Sequence, residues 1–273
     1  MNKRRTEVFE MKAKKTMIMR TMENNKREIL ISILVSVIGI IAIYVAEFSI
    51  AKSTAVSFPV EVWIDGSKIL DFFFPLFVSL PFSWMLFYEK KDGFLNYAAM
   101  RTDKKKYIFS RIMTGMIAAF VTVFIIYYVG LFVAVSYIKP EYIVNDNILY
   151  RYMWGYMQAH NPLLFGVFWC AWKGFIGSLI CGFGYLIALV ADNLFVIALL
   201  PFLYCTIENF ITGTLHLERF SITTSYILDR LSPVGMSLLN YVAGIITFLI
   251  LGSAIIVAFN IKMKRAEHCE ELD

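Results

Sequence analysis

The chain has 273 residues, 59% of them hydrophobic and only 17% charged. The hydrophobic residues come in long blocks instead of the spaced pattern of a soluble core, which makes the bilayer the expected solvent. A net charge of +5 invites a nucleic-acid reading, but the basic residues follow membrane sidedness, so no nucleic-acid partner is expected.

The first segment, residues 1–28, mixes Lys3, Arg4, Arg5, Lys12, Lys14, Lys15, Arg20, Lys26 and Arg27 with Val8, Phe9, Met17, Ile18, Met19 and Met22. It is too long and too mixed in charge for the start of a signal peptide. Apolar contact combined with basic attraction to anionic lipid favours an interfacial helix, lying on the inner leaflet before the chain turns into the membrane, over a disordered basic arm.

A membrane span needs about 20 mostly apolar residues, and the remainder, 29–273, supplies six such runs: 29–48, 69–87, 112–137, 164–191, 194–211 and 236–259. The predicted fold is all-α, a polytopic membrane protein of six transmembrane helices. The N-terminal arm, the island 88–111 and the tail 260–273 carry 19 Lys and Arg, against six in the other connections. The positive-inside rule then puts both termini and the island in the cytoplasm. The expected location of this multi-pass chain is a cell membrane, of the bacterial plasma-membrane type.

The outer stretch 49–68 contains Pro59 and the turn-like pair Asp65-Gly66, and is too short for a domain. Beyond the third run, Tyr142, Tyr150, Tyr152, Trp154 and Tyr156 suit a water boundary. The fourth run exceeds a single crossing, so its beginning, with Phe165, Phe168, Trp169 and Trp172, reads as a tilted or re-entrant entry. Only Ala191-Asp192-Asn193 separates the fourth and fifth runs, which forces a tight hairpin. After the fifth, Tyr226-Ile227-Leu228 reads as a short surface or re-entrant helix.

Three ionisable residues fall inside the runs: Asp71, Lys173 and Glu208; Glu47 lies one residue from the end of its own run. At about 1.5 Å per residue, Asp71 stands roughly 25 Å above Tyr88, Lys173 roughly 27 Å above Ala191 and Glu208 roughly 22 Å above Asn193. The three share one level. Membrane charges pair or face water, so the expectation is a Lys173–Glu208 pair with Asp71 as a third member, against separate snorkelling to the surface.

Pro75, Pro81 and Pro201 permit kinks, and Gly174, Gly177, Gly182 and Gly184 allow close helix contact. Catalytic signatures are lacking. His160, His216 and His268 are scattered, the four cysteines have no metal spacing, and there is neither a nucleophile elbow nor a phosphate loop. No catalytic residue, metal or bound cofactor is therefore expected, and any nucleotide energy must come from another subunit.

The island reads YEKKDGFLNYAAMRTDKKKYIFSR, and within its basic residues lies FLNYAAM, a short amphipathic segment. In the order Glu89, Gly93, amphipathic segment, Arg101, Tyr107, Arg111, and with the basic arm, short fourth-to-fifth connection and Leu231-Ser232-Pro233, the chain resembles the permease subunits of type-2 ABC transporters, the six-helix exporter family. It departs from that pattern at Phe94, where Thr or Ser is common, and in lacking a Pro near Met100–Asp103. The resemblance implies a coupling helix over Phe94–Met100 and an ATPase-docking set of Glu89, Gly93, Phe94, Leu95, Tyr97, Arg101, Tyr107 and Arg111. It also implies a cytoplasmic ATP-binding subunit that carries ATP and Mg, and a second permease copy or paralogue as dimer partner. The bland reading of the island is a loop that only sets topology. The alternative function is a secondary transporter using Asp71, Lys173 and Glu208, and an intramembrane enzyme is the third and weakest reading.

Overall fold

The computed structural model describes residues 2–95, 104–143, 154–191, 193–231 and 237–270. Among these the chain is all-α, with a single isolated parallel bridge, Val56 to Ile143. The helices are α1 (Asn2–Ser53), α2 (Pro59–Phe72), α3 (Phe74–Lys91), α4 (Lys104–Ser136), α5 (Gly155–His160), α6 (Pro162–Val190), α7 (Leu194–Thr214), α8 (Ile222–Tyr226) and α9 (Leu238–Glu270), with a 3-10 turn at Glu218–Phe220.

Among the described residues, four stretches are long and apolar enough to cross a membrane: Ile29–Ser53 of α1, Lys105–Ser136 of α4, α6 and α7. The pair α2 and α3, bent by 51°, makes a fifth if counted as one broken span. Helix α9 opens with a further apolar stretch, Leu238–Ile250, among the described residues. This is the helix set of a multi-pass membrane protein.

Two expectations differ from what is observed, and a third is narrowed. The arm and the first span form one helix from Asn2 to Ser53 with no turn between them; no Pro or Gly occurs before Gly39 to break it. The stretch 49–68 is largely helical. Pro59 starts α2 at a position where its missing N–H costs nothing, and the Glu61 carboxylate accepts from the Ser57 N–H at 2.9 Å. Gly66 lies inside α2, not in a turn, and it is small because a Cβ there would stand 2.7 Å from Glu47 Cγ. Finally, α6 runs unbroken from Pro162 to Val190, so of the tilted and re-entrant entries expected there the continuous helix fits the tilted one.

The bend between α2 and α3 has a local cause. Pro75 cannot donate to the Asp71 carbonyl one turn earlier, and its ring crowds that oxygen, so α2 stops at Phe72 and α3 restarts in a new direction. The C-terminus of α3 is closed by Gly93 at φ 70°, with the Asp92 N–H on Tyr88 O at 2.8 Å and the Gly93 N–H on Lys90 O at 3.2 Å. Asn193 caps α7 by accepting from the Phe195 N–H at 2.9 Å.

Helix α6 is the most buried of the candidate spans and packs most extensively on α4 and α3, whereas α1 is the least buried. Its glycines receive its neighbours: Gly174 faces Phe120 and Gly182 faces Met116 of α4, while Gly184 faces Ser79 and Ser83 of α3. Close approach is what these glycines provide. Cys170, Cys181 and Cys205 are buried free thiols.

Candidate functional site

Two buried polar clusters are fixed on the trio α3, α4 and α6 and their immediate extensions. At one end, Asp71 sits in the last turn of α2, just before the bend, and is 3% exposed; Lys173 of α6 is 1% exposed. Lys173 Nζ lies 2.6 Å from Asp71 Oδ1 and 2.9 Å from Oδ2. Tyr127 of α4 donates its hydroxyl to Oδ1 at 2.5 Å, and Lys173 Nζ lies 3.9 Å from the centre of the Tyr127 ring. Ser67, one turn up α2, donates at 3.5 Å to Oδ2, and the Trp63 indole donates at 3.0 Å to the Tyr127 carbonyl.

Taking two charges out of water is costly, and their attraction compensates only when geometry is good and further donors serve the remaining lone pairs. Tyr127 supplies such a donor, while Ser67 shares its single hydroxyl proton between Oδ2 and the nearer Ile64 carbonyl at 2.9 Å. The cation over an aromatic face adds a second electrostatic contact. The cluster thereby ties α2, α4 and α6 together beside the bend.

The Lys173–Glu208 pair expected from depth alone does not form. The level was shared, but α6 turns Lys173 toward α2 and α4, away from Glu208. Glu208 accepts from the Ser221 hydroxyl at 2.8 Å, and Ser221 in turn caps α8 by accepting from the Thr223 N–H, so Glu208 holds the start of α8. That short helix lies a few residues before the expected Tyr226–Leu228 position, and all its residues are buried.

At the other end of the trio, Glu89 of α3 and Arg111 of α4 are 7% and 6% exposed. Arg111 Nε lies 3.1 Å from Glu89 Oε1, the Tyr107 hydroxyl donates to Glu89 Oε2 at 3.1 Å, and an Arg111 N–H reaches Met85 Sδ at 3.4 Å. Phe94 and Leu95 are buried, with Phe94 edge-on to Tyr107 at 5.9 Å. Lys90 donates to the Leu189 carbonyl at 3.2 Å. This places a cation on the carbonyl end of α6, where the helix dipole favours it.

Glu89, Tyr107, Arg111, Phe94 and Leu95 were expected to form a docking surface; Glu89, Arg111, Phe94 and Leu95 are buried, and Tyr107 is half-buried against Glu89 and Phe94. They brace the base of the loop, and Gly93 ends the helix that leads into it. Tyr97 and Arg101, with most of FLNYAAM, lie outside the described residues. Among the described residues of the loop and its flanks, the exposed ones are Tyr88, Lys91, Asp92, Gly93, Lys105, Lys106, Phe109 and Ser110.

The two clusters are separated by 16 positions on both α4, from Arg111 to Tyr127, and α6, from Lys173 to Leu189, roughly 24 Å of helix rise. A cavity of about 330 Å³ opens beside the first cluster, lined by Lys68, Asp71, Asn209, Tyr226, Asp229 and Arg230 among others. Lys68 bridges its rim, 2.6 Å from Asp65 and 2.8 Å from Asp229. A separate apolar cavity of about 590 Å³ is walled by Trp154, Phe165, Phe168, Trp169, Trp172 and Tyr241.

Sequence reasoning missed Tyr127, Ser67, Trp63 and Lys90. Tyr127 looked like one more aromatic in an apolar run, and nothing short of helix packing reveals that its hydroxyl meets Asp71. Among the described residues no group of His, Cys, Asp and Glu could hold a metal ion. Compared with family models, curated proteins and solved structures, the chain matches none.

Proposed function

We propose that the chain is the membrane-spanning permease subunit of an ATP-driven ABC exporter, with six spans including 236–259 and both termini in the cytoplasm. ATP and Mg bind a separate ATPase subunit that docks on the loop 88–111, and a second copy or paralogue completes the translocation path. The observation that carries this reading is the braced loop. Its two flanking helices are locked to each other by Glu89, Arg111 and Tyr107, and to α6 by Lys90. A pull on such a loop moves α3, α4 and α6 together, and that trio ends at the Asp71–Lys173 cluster and its cavity. ATP can drive this only if the ATPase grips two permease states differently.

Docking falls in this reading to the exposed Lys91, Lys105, Lys106 and Phe109 with the segment 96–103, while Glu89, Tyr107 and Arg111 transmit. The secondary-transporter reading draws on the same buried charges, but Asp71 and Lys173 neutralise each other and Glu208 holds α8, which leaves none of the three poised for an ion.

Reconstitution separates the two. Liposomes holding the full chain and the ATP-binding subunit that accompanies it should hydrolyse ATP faster than liposomes with that subunit alone. Unchanged hydrolysis, with proton uptake by the chain alone under an imposed gradient, would favour the secondary transporter.

A further inference from the structure

Among the described residues, Glu47 is the one carboxyl whose two oxygens are both buried without a hydrogen-bond partner. Its residue exposure is 0%. It projects from α1 between Gly66 of α2 and Gly130 of α4: a Cβ on Gly66 would lie 2.7 Å from its Cγ, and one on Gly130 would lie 3.4 Å from its Oε1. Two glycines thus make room for a carboxyl and offer it no side-chain donor.

The charged and titratable groups on the surrounding helices are directed elsewhere. On α1, the Lys52 ammonium lies 4.2 Å over the Phe48 ring. On α2, Glu61 accepts from Ser57, Asp65 pairs with Lys68, Lys68 also reaches Asp229, and Asp71 pairs with Lys173. On α4, the Tyr127 hydroxyl is on Asp71, the Tyr128 ring stacks on Phe124, the Tyr137 ring meets Phe132, and Arg111 is on Glu89 at the far end. Beyond α4, Lys139 and Glu141 are exposed.

An ionised carboxylate in such a place would lose its hydration and gain nothing in return, whereas the neutral acid loses far less. We propose that Glu47 is a proton-binding site, which holds its proton while α1 is packed on α2 and α4 and releases it only when α1 parts from them. The sign follows from linkage: the packed form binds one proton more than the parted form, so acidification favours packing of α1 and alkali favours its release. The inference rests on the Glu47 environment alone and does not need the exporter reading.

Infrared spectroscopy on the full chain in lipid vesicles tests it. With ¹³C-glutamate incorporated, a carboxylic-acid C=O band at neutral pH should show the isotope shift, be lost in Glu47→Gln, and persist in Glu208→Gln and Asp71→Asn. The thermal midpoint of the wild type should fall from neutral to alkaline pH more steeply than that of Glu47→Gln. A wild-type spectrum with no isotope-sensitive acid band means that Glu47 is ionised and holds a cation or water, and overturns the proposal. So does an acid band that survives in Glu47→Gln. If Glu47→Gln fails to assemble, loss of the isotope-sensitive band from Glu208→Gln instead would equally overturn it, and its retention there would support it.

Discussion

Lys173 of α6 closes on both oxygens of Asp71, at 2.6 and 2.9 Å, with both side chains buried. Asp71 is also the residue whose carbonyl Pro75 leaves without a helical donor, so the ion pair and the bend of α2 on α3 occupy the same turn.

Replacing Lys173 by Met leaves the Asp71 carboxylate buried and uncompensated, at a cost of about 3–5 kcal/mol. Adding Asp71→Asn removes the stranded charge, and the double variant should recover most of that loss. Denaturation of the four proteins in one detergent gives the cycle; additive losses would mean that the pair is not coupled.

Tyr127→Phe keeps the ring under Lys173 and the Trp63 bond to the backbone, but takes a donor from Asp71. The expected loss is about 1–3 kcal/mol, the penalty of an under-served buried acceptor. Ser67→Ala should cost less, because its bond to Asp71 is long at 3.5 Å and its hydroxyl also serves Ile64 O. A melt of both variants against wild type ranks the two donors.

Arg111→Met strands Glu89 at the base of the loop. Trypsin should then cut at Lys90, Lys91 and Lys104–Lys106 several times faster than in wild type, and Glu89→Gln added to Arg111→Met should slow cleavage again. Equal cleavage rates in all three proteins would mean that the loop base is not braced by this pair.

Gly244 and Gly213 should respond oppositely to alanine. A Cβ at Gly244 would lie 2.2 Å from the Ser221 carbonyl oxygen, a backbone atom that cannot swing aside. Gly244→Ala is expected to cost about 1–3 kcal/mol by forcing α9 off the α8 segment. Gly213 has nothing within 4 Å of a Cβ and lies in α7, so Gly213→Ala should be neutral or stabilising by about 0.5–1 kcal/mol. Thermal midpoints of the two variants check the contrast.

The long apolar helices were legible because 20-residue blocks of Leu, Ile, Val and Phe leave little choice of structure, and the α6–α7 hairpin followed from having only three residues to turn. Helix α2 was hidden because Pro59 and Asp65-Gly66 carry the chemistry of turns; Gly66 is instead explained by Glu47 crossing over it. The shared depth of Asp71 and Lys173 could be counted along the chain, but their pairing depends on how α6 is rotated against α2 and α4. Glu89, Tyr107 and Arg111 stood out as a group, yet linear order could not tell an outward surface from an inward brace.

Docking of a separate ATPase on the loop 88–111, as proposed above, is open to a direct test. Tagged full-length chain extracted gently from its native membranes should bring down an ATP-binding subunit. The variant with Lys91, Lys105 and Lys106 changed to Glu should reach the membrane in equal amount and lose that subunit. Recovery of no ATP-binding subunit with the wild type, or undiminished recovery with the variant, would contradict the account.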